Sequence, residues 1–254
     1  MKVHVIQLAY DDSESLAERT ERVSGLVRAQ ASADLVVLPE LWPQGGFSYD
    51  RWEAEAQPLD GTVVRSLRSA ARDLGVMVHM GSLVERDDTG RLFNTSVLIG
   101  AAGEILTTYR KVHLFGFGDG EPKLMTQGDG PVVHANVGLA TCYDLRFPEL
   151  FRRLLDAGAE VVLVVAAWPA KRVAHWRLLA QARAVENQSY VVACNTAGTH
   201  AGVPMGGGCL VVDPWGQVLV EASADSEEVL VADIDLDLVR RTRASFPVLA
   251  DRRI

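Results

Sequence analysis

Residues 137–149, VGLATCYDLRFPE, join an apolar run to the start of a helix, and Cys142 stands at the junction. The run has strand character, and Pro148 and Glu149 suit the first turn of a helix. A strand end fixes the position of a thiol, and the N–H groups of a helix N-terminus favour the thiolate, its reactive form. The stretch therefore predicts an α/β fold that displays a cysteine nucleophile, although a cysteine considered alone is more often a small buried apolar residue.

The alternation of strand and helix patterns continues along the chain. Short apolar runs predict strands at 3–8, 35–38, 76–84, 93–99, 104–109, 132–140, 161–167, 190–195, 209–213, 217–220 and 229–234. Apolar residues at helical spacing predict helices before residue 31 and at 62–74, 148–157, 174–187 and 235–243. Asp11 and Glu14 have the spacing of a capping box for the first of these helices. Because no linker interrupts the pattern, we expect a single domain over residues 1–254, with mixed sheets covered by helices.

The charge and cysteine content narrow the class of protein. The 254 residues include 25 Lys and Arg against 33 Asp and Glu, and the net charge of −8 argues against a nucleic-acid-binding surface. No apolar run reaches the length of a membrane span, and the N-terminal residues resemble a strand more than a signal peptide. The three cysteines form no Cys-x-x-Cys pair, so we expect neither disulfides nor a zinc site. This composition fits a cytoplasmic protein without membrane or nucleic-acid partners.

Three polar side chains follow strands at the point where each strand ends. Glu40 follows the run at 35–39, Lys111 follows the strand at 104–109, and Cys142 follows the run described above. Open α/β sheets bind ligands at the carboxyl ends of their strands, so these side chains could converge. A thiol that attacks, a carboxylate that moves its proton and an ammonium that stabilises negative charge make a nucleophilic site. Taken singly, the acid and the lysine fit a solvated surface equally well.

Three segments carry a more specific signal than any single residue. LPELW at 38–42, YRKVHLF at 109–115 and CYDLRFPEL at 142–150 resemble, in order and spacing, the signature segments of the nitrilase superfamily of carbon–nitrogen hydrolases. WPAKR at 168–172, followed by His175 and Trp176, resembles the ω-amidase branch. The resemblance implies an α/β fold in the form of a four-layer αββα sandwich with mixed sheets, and a homodimer.

The resemblance also implies roles for individual residues. Cys142 matches the nucleophile, Glu40 the general base and Lys111 the cation that stabilises the oxyanion. Glu121 matches a second glutamate that orients the lysine or the substrate nitrogen, and the backbone N–H of Tyr143 matches a second oxyanion donor. The implied reaction is acyl transfer through a thioester, with no cofactor. The six histidines show no strong ligand spacing, so we expect no metal.

The resemblance to ω-amidases implies a small carboxylate-bearing amide such as α-ketoglutaramate as substrate. Arg172 follows the strand at 161–167, and its guanidinium can bind a carboxylate in bidentate fashion. Phe47, Tyr49 and Trp168 are candidate pocket residues, and we expect Asp144 and Arg146 to brace the turn at the nucleophile.

Several alternatives stay open at this level. Within the same chemistry, the substrate could be deaminated glutathione, an N-carbamoyl amino acid or a nitrile. Outside it, the chain could be a catalytically silent relative that binds a metabolite or a partner, although such a protein has no need for all four polar groups. A thiol redox protein is a third alternative, and the lack of a nearby second cysteine disfavours it.

Overall fold

Two six-stranded β-sheets form the interior of the protein, and the computed structural model describes residues 1–253. The strands are β1 Lys2–Gln7, β2 Ala9–Tyr10, β3 Leu35–Val37, β4 Met77–Arg86, β5 Leu92–Ile99, β6 Ile105–Arg110, β7 Val132–His134, β8 Val137–Thr141, β9 Val161–Ala166, β10 Tyr190–Asn195, β11 Ala197–His200, β12 Val203–Pro204, β13 Leu210–Val212, β14 Val218–Glu221 and β15 Glu228–Asp233. The helices are α1 Leu16–Arg28, α2 Tyr49–Glu55, α3 Thr62–Leu74, α4 Glu121–Leu124, α5 Pro148–Asp156, α6 Val173–Asn187 and α7 Leu236–Ser245. None of the helices described within residues 1–253 is both long enough and apolar enough to span a bilayer.

The two large sheets have matching designs. Sheet 1 has the strand order β15-β1-β3-β4-β5-β6, and sheet 2 has the order β14-β13-β10-β9-β8-β7. In sheet 1, β1, β3 and β4 run parallel, and in sheet 2, β8, β9 and β10 run parallel. Antiparallel strands flank each parallel group, so both sheets are mixed. The strands that precede Glu40 and Cys142 therefore occupy parallel groups, one in each sheet.

Apolar contacts stack the elements in four layers. Val5 and Val37 of sheet 1 belong to one buried cluster with Leu163 of sheet 2, and Trp176 of α6 packs on the same cluster. On the other face of sheet 1, Val23 of α1 belongs to a second buried cluster that α3 also joins. The order helices, sheet, sheet, helices confirms the expected αββα sandwich.

The start of α1 differs from the sequence expectation. The capping box consists of Ser15 and Glu18, not of Asp11 and Glu14, which have the same spacing. The apolar stripe of the helix begins at Leu16, so the cap must stand directly before it. Glu14 instead forms ion pairs with arginines of α1. The prediction for α3 is confirmed at both ends, and Gly75 closes that helix with a left-handed φ of 70°.

Candidate active site

The turn after β8 holds Cys142 in an uncommon backbone conformation. β8 ends at Thr141, a 3-10 helix spans Cys142–Arg146, and α5 begins at Pro148. The φ of Cys142 is +48°, in the left-handed region that residues other than glycine seldom adopt. A residue held there by its surroundings is a mark of a functional turn, because the strain must be offset by other contacts. The backbone N–H of Tyr143, at the second position of this short helix, has no carbonyl one turn earlier within the helix.

Asp144 supplies the contacts that hold this turn. Its buried carboxylate accepts hydrogen bonds from the Thr141 N–H at 2.8 Å and the Tyr109 hydroxyl at 2.7 Å. It also accepts from the backbone N–H of His113 at 3.0 Å and contacts Nδ1 of the same residue at 2.8 Å. Asp144 therefore braces the turn as expected, and it ties the turn to the segment that follows β6.

The predicted lysine and glutamates form one buried charged cluster. The Nζ of Lys111 lies 2.8 Å from Glu40 Oε1 and 2.8 Å from Glu121 Oε2. All three side chains are almost completely excluded from solvent. Buried charges are tolerated when they are paired and hydrogen-bonded, and this cluster meets that condition. Glu40 follows β3, Lys111 follows β6 and Glu121 opens α4, so three distant segments meet at one point.

Two further donors complete the cluster, and sequence reasoning missed both. The side-chain amide of Asn94 donates to Glu40 Oε1 at 2.8 Å and to Glu121 Oε1 at 2.6 Å. The backbone N–H of Ala167 donates to Glu40 Oε2 at 2.8 Å. Asn94 is fully buried in β5, and an asparagine inside an apolar strand is the signal that could have singled it out. The Ala167 donor could not be predicted, because every residue except proline has a backbone N–H.

Burial and neighbouring charges shift the acidity of the cluster. The Glu121 and Glu40 carboxylates hold the pKa of Lys111 well above its ordinary value, although burial opposes this shift. Burial raises the pKa of Glu121, and the charge of Lys111 lowers it in part. Burial also raises the pKa of the Cys142 thiol well above its ordinary value, and the Glu40 charge adds to the increase. Burial and the Glu40 charge therefore outweigh the effect of the helix N-terminus on the thiol, which needs a base.

A small cavity opens beside the thiol. It is lined by Phe47, Phe115, Cys142, Tyr143, Arg146, Ala167, Trp168, Pro169 and Arg172. The structure thus brings Phe47, Trp168 and Arg172 together at Cys142, whereas Tyr49 does not line this cavity. Over residues 1–253, no group of three or more His, Cys, Asp or Glu side chains is arranged to hold a metal ion.

Two guanidinium groups line this cavity. Arg172 lies over the ring of Phe115 at 5.4 Å, and Arg146 lies over the ring of Trp168 at 4.7 Å. Neither arginine forms an ion pair with a carboxylate among the described residues, although Arg146 contacts the ring of His175. The bracing role of Arg146 stays a prediction, and its guanidinium also lines the pocket. Stacked, unpaired guanidinium groups beside a nucleophile can receive an anionic ligand.

The geometry describes a thiol, two carboxylates and an ammonium beside a cationic pocket, the groups that acyl transfer requires. Comparison with known proteins gives the class. The family description "Carbon-nitrogen hydrolase" matches residues 2–244, and the chain belongs to this family, within the nitrilase superfamily. It is an enzyme that hydrolyses carbon–nitrogen bonds other than peptide bonds.

Individual relatives extend the likeness over the whole chain. A 2-oxoglutaramate amidase of Paenarthrobacter nicotinovorans is 44% identical over 100% of this chain and 90% of its own length. A 2-oxoglutaramate amidase of Bacillus subtilis is 37% identical over 87% of this chain and 85% of its own length. The crystal structure of a CN-hydrolase superfamily protein from Xanthomonas campestris superposes with a TM-score of 0.91 at 30% identity, covering 100% of this chain and 97% of that one.

Proposed function

We propose that this amidase hydrolyses the amide of 2-oxoglutaramate, or of a closely similar short amide that carries a carboxylate. The observation that carries the proposal is the pair of unpaired guanidinium groups, Arg146 and Arg172, in the pocket of Cys142. The activity named for the two relatives described above is the same.

Acylation begins with the neutral thiol. Glu40 accepts the proton of Cys142 as the sulfur attacks the amide carbon, and the carbonyl oxygen becomes an oxyanion. The Lys111 ammonium and the Tyr143 N–H stabilise this charge, and one such donor is typically worth about 10²–10³ in rate. Glu40 then returns the proton to the departing nitrogen. Ammonia leaves and a thioester remains on Cys142.

Deacylation uses the same groups with water as the nucleophile. Glu40 accepts a proton from water as the oxygen attacks the thioester carbon, and the same donors hold the second oxyanion. Collapse of this intermediate breaks the carbon–sulfur bond. The thiolate of Cys142 regains its proton from Glu40, and the free acid departs. One water is consumed and one ammonia is released in each cycle.

The hydrogen bonds of the two glutamates support different roles for them. Both oxygens of Glu121 are fully engaged, because Oε1 binds Asn94 and Lys111 while Oε2 binds Lys111 and the Phe115 N–H. Glu40 Oε1 is likewise engaged, but Oε2 accepts only from the Ala167 N–H among the described residues. A carboxylate oxygen has two lone pairs, so Oε2 keeps one for the thiol proton. We therefore assign the base to Glu40 and the orientation of Lys111 to Glu121.

We further propose that the enzyme is a homodimer. The proposed interface consists of exposed apolar residues, Leu178 and Val185 of α6 with Trp215 and Phe246. Leu178 and Val185 lie two turns apart on α6 and are 65% and 49% exposed. Trp215 stacks on Phe246 beside Val185, and both rings are about half exposed. Exposed large apolar side chains grouped in this way are typical of a protein–protein interface. A cytoplasmic location stays a prediction from the sequence.

Ammonia release from 2-oxoglutaramate tests the proposed substrate directly. We expect the wild-type enzyme to release ammonia from this amide faster than from deaminated glutathione, an N-carbamoyl amino acid or a short nitrile. Mass spectrometry after an acid quench should find the five-carbon acyl group on Cys142, and Cys142→Ala should show neither activity nor adduct. Faster turnover of another compound in this panel would replace the proposed substrate. No ammonia from any of them would contradict the proposed catalytic roles.

A further inference from the structure

Asn94 binds both carboxylates of the active-site cluster. Its Nδ2 lies 2.8 Å from Glu40 Oε1 and 2.6 Å from Glu121 Oε1. The Lys111 ammonium contacts the same two oxygens at 2.8 Å and 3.0 Å. One neutral donor and one charged donor therefore bridge the same pair of buried carboxylate oxygens.

The sheet fixes Asn94 in this position through its backbone. Asn94 lies in β5, where it pairs with Val84 of β4, and its carbonyl accepts the backbone N–H of Lys111 at 2.9 Å. Asn94 and Lys111 are thus cross-strand neighbours. Because the pairing sets the relative position of the two residues, their side chains reach the two carboxylates together.

The contacts of Asn94 point to function more than to stability. Its Oδ1 is buried and has no hydrogen-bond partner among the described residues. Exchanging the amide oxygen and nitrogen would turn an acceptor toward two carboxylates, so the network fixes the orientation. An orphan buried acceptor costs free energy, and native proteins seldom retain one without a reason. The orphan Oδ1 is the cost of directing both N–H bonds at the glutamates.

We propose that Asn94 is a positioning residue of this amidase, which holds the Glu40 and Glu121 carboxylates in register while Lys111 stabilises the oxyanion. The inference rests on the proposed catalytic roles. A side-chain amide does not titrate, so Asn94 stays bound to Glu40 whether that carboxyl is ionised or protonated. With Oε1 occupied by two donors, the catalytic proton is directed to Oε2. Asn94 thereby determines which oxygen of Glu40 acts as the base.

Asn94→Asp is the decisive variant, because it replaces the donor with a third carboxylate of the same shape. We expect kcat/KM at neutral pH to fall by about 10²-fold or more, as when a reacting group is misplaced. Activity should recover in part toward acidic pH, where the new carboxyl is protonated and can donate one hydrogen bond. A residue with a merely structural role would lower the melting temperature without this change in pH profile. Asn94→Ser, which keeps one donor, should fold normally and lose less activity.

Two controls keep the result interpretable. Asn136→Asp alters an amide that donates to Glu160 at 3.1 Å outside the active site, and it should leave kcat/KM unchanged. Alkylation of Cys142 by iodoacetamide, followed by peptide mapping, reports on the cluster without any substrate and should slow in Asn94→Asp. If the substrate proposal fails, this alkylation result still tests Asn94. Folded Asn94→Asp or Asn94→Ser with wild-type kcat/KM, pH profile and alkylation rate would overturn the inference.

Discussion

Gly46 packs against Ala167 so closely that a side chain at residue 46 would overlap the Ala167 methyl group. The N–H of Ala167 is the donor to Glu40 Oε2. The contact therefore couples a glycine in the loop after β3 to the carboxylate that serves as the proposed base. A methyl group at residue 46 cannot be accommodated by rotation, because Ala167 has no flexible side chain to move aside.

Gly46→Ala should therefore reduce kcat/KM by about 10²-fold, because displacement of Ala167 misplaces Glu40. The double variant Gly46→Ala/Ala167→Gly removes the opposing methyl group and should recover most of the loss. Gly25→Ala is the matched control, since nothing lies within 4 Å of a methyl group there, and it should retain full activity. Steady-state kinetics of the four proteins would test this, and a double variant no better than the single one would contradict the steric explanation.

The variant Glu40→Gln should separate the effect of Glu40 on the acidity of the Cys142 thiol from its role in catalysis. Burial and then the Glu40 charge hold the pKa of the Cys142 thiol high, so the neutral amide should lower that pKa while removing the base. We expect kcat to fall by about 10²–10⁴-fold, the range for loss of a general base. The pH at which iodoacetamide alkylates Cys142 should nevertheless shift downward. Cys194 and Cys209 are fully buried and serve as internal controls. An unchanged alkylation profile would show that Glu40 does not act on the thiol.

Lys111→Met should destabilise the fold in a pH-dependent way. Removing one partner from a buried ion pair costs about 3–5 kcal/mol. Burial already raises the pKa of Glu121, and without the lysine charge that pKa rises further. A carboxyl group whose pKa is higher in the folded state binds more protons there, so stability falls as pH rises above the ordinary glutamate range. Urea unfolding should show that the variant loses less unfolding free energy, relative to wild type, at pH 5 than at pH 8. Lys123→Met, a control at an exposed lysine, should leave the unfolding free energy unchanged at both pH values.

Arg172→Met and Arg146→Met should weaken the binding of an anionic substrate. A hydrogen bond to a charged group contributes about 1.5–3 kcal/mol, so KM for 2-oxoglutaramate should rise by roughly 10–100-fold in each variant. An amide of similar length without a carboxylate should show no such change. Arg177→Met removes a guanidinium that pairs with Glu221 away from the pocket and should behave as wild type. Unchanged KM and kcat/KM for 2-oxoglutaramate in both variants would remove the arginines from substrate recognition.

Leu178→Glu and Trp215→Glu should dissociate the proposed dimer. Each variant places a charge among the exposed apolar residues of the proposed interface, where desolvation would oppose association. Light scattering after size exclusion should give twice the chain mass for wild type and the chain mass for the variants. Phe117→Glu changes an apolar residue that is 88% exposed outside this interface, and it should stay dimeric. A monomeric wild-type protein would contradict the proposal.

Most of the longer helices and strands could be predicted because they have a strong apolar period. The strand at Tyr190–Asn195 and the helix at Thr62–Leu74 agree with the sequence prediction at both ends. Helix α2 was missed because it has seven residues, of which only Trp52 is buried, so its apolar period is too short to detect.

The active site, like the fold, contains residues that the sequence could predict and others that it could not. Glu40, Lys111, Glu121 and Cys142 stand in recognisable segments, and the structure brings them together. Asn94 could not be found by motif, since its role depends on strand pairing with the lysine. The high pKa of the thiol could not be predicted from the helix N-terminus, because it comes from burial and the Glu40 charge.

The position of β1 has a consequence for folding during synthesis. This first strand pairs with β3 on one side and with β15 on the other. The Gln7 side chain also donates to the carbonyls of Ser223 and Ser226, both close to β15. Sheet 1 therefore stays incomplete until β15 leaves the ribosome. A nascent chain must keep β1 unpaired on one edge throughout elongation, so premature termination before β15 should produce an aggregation-prone fragment instead of a smaller enzyme.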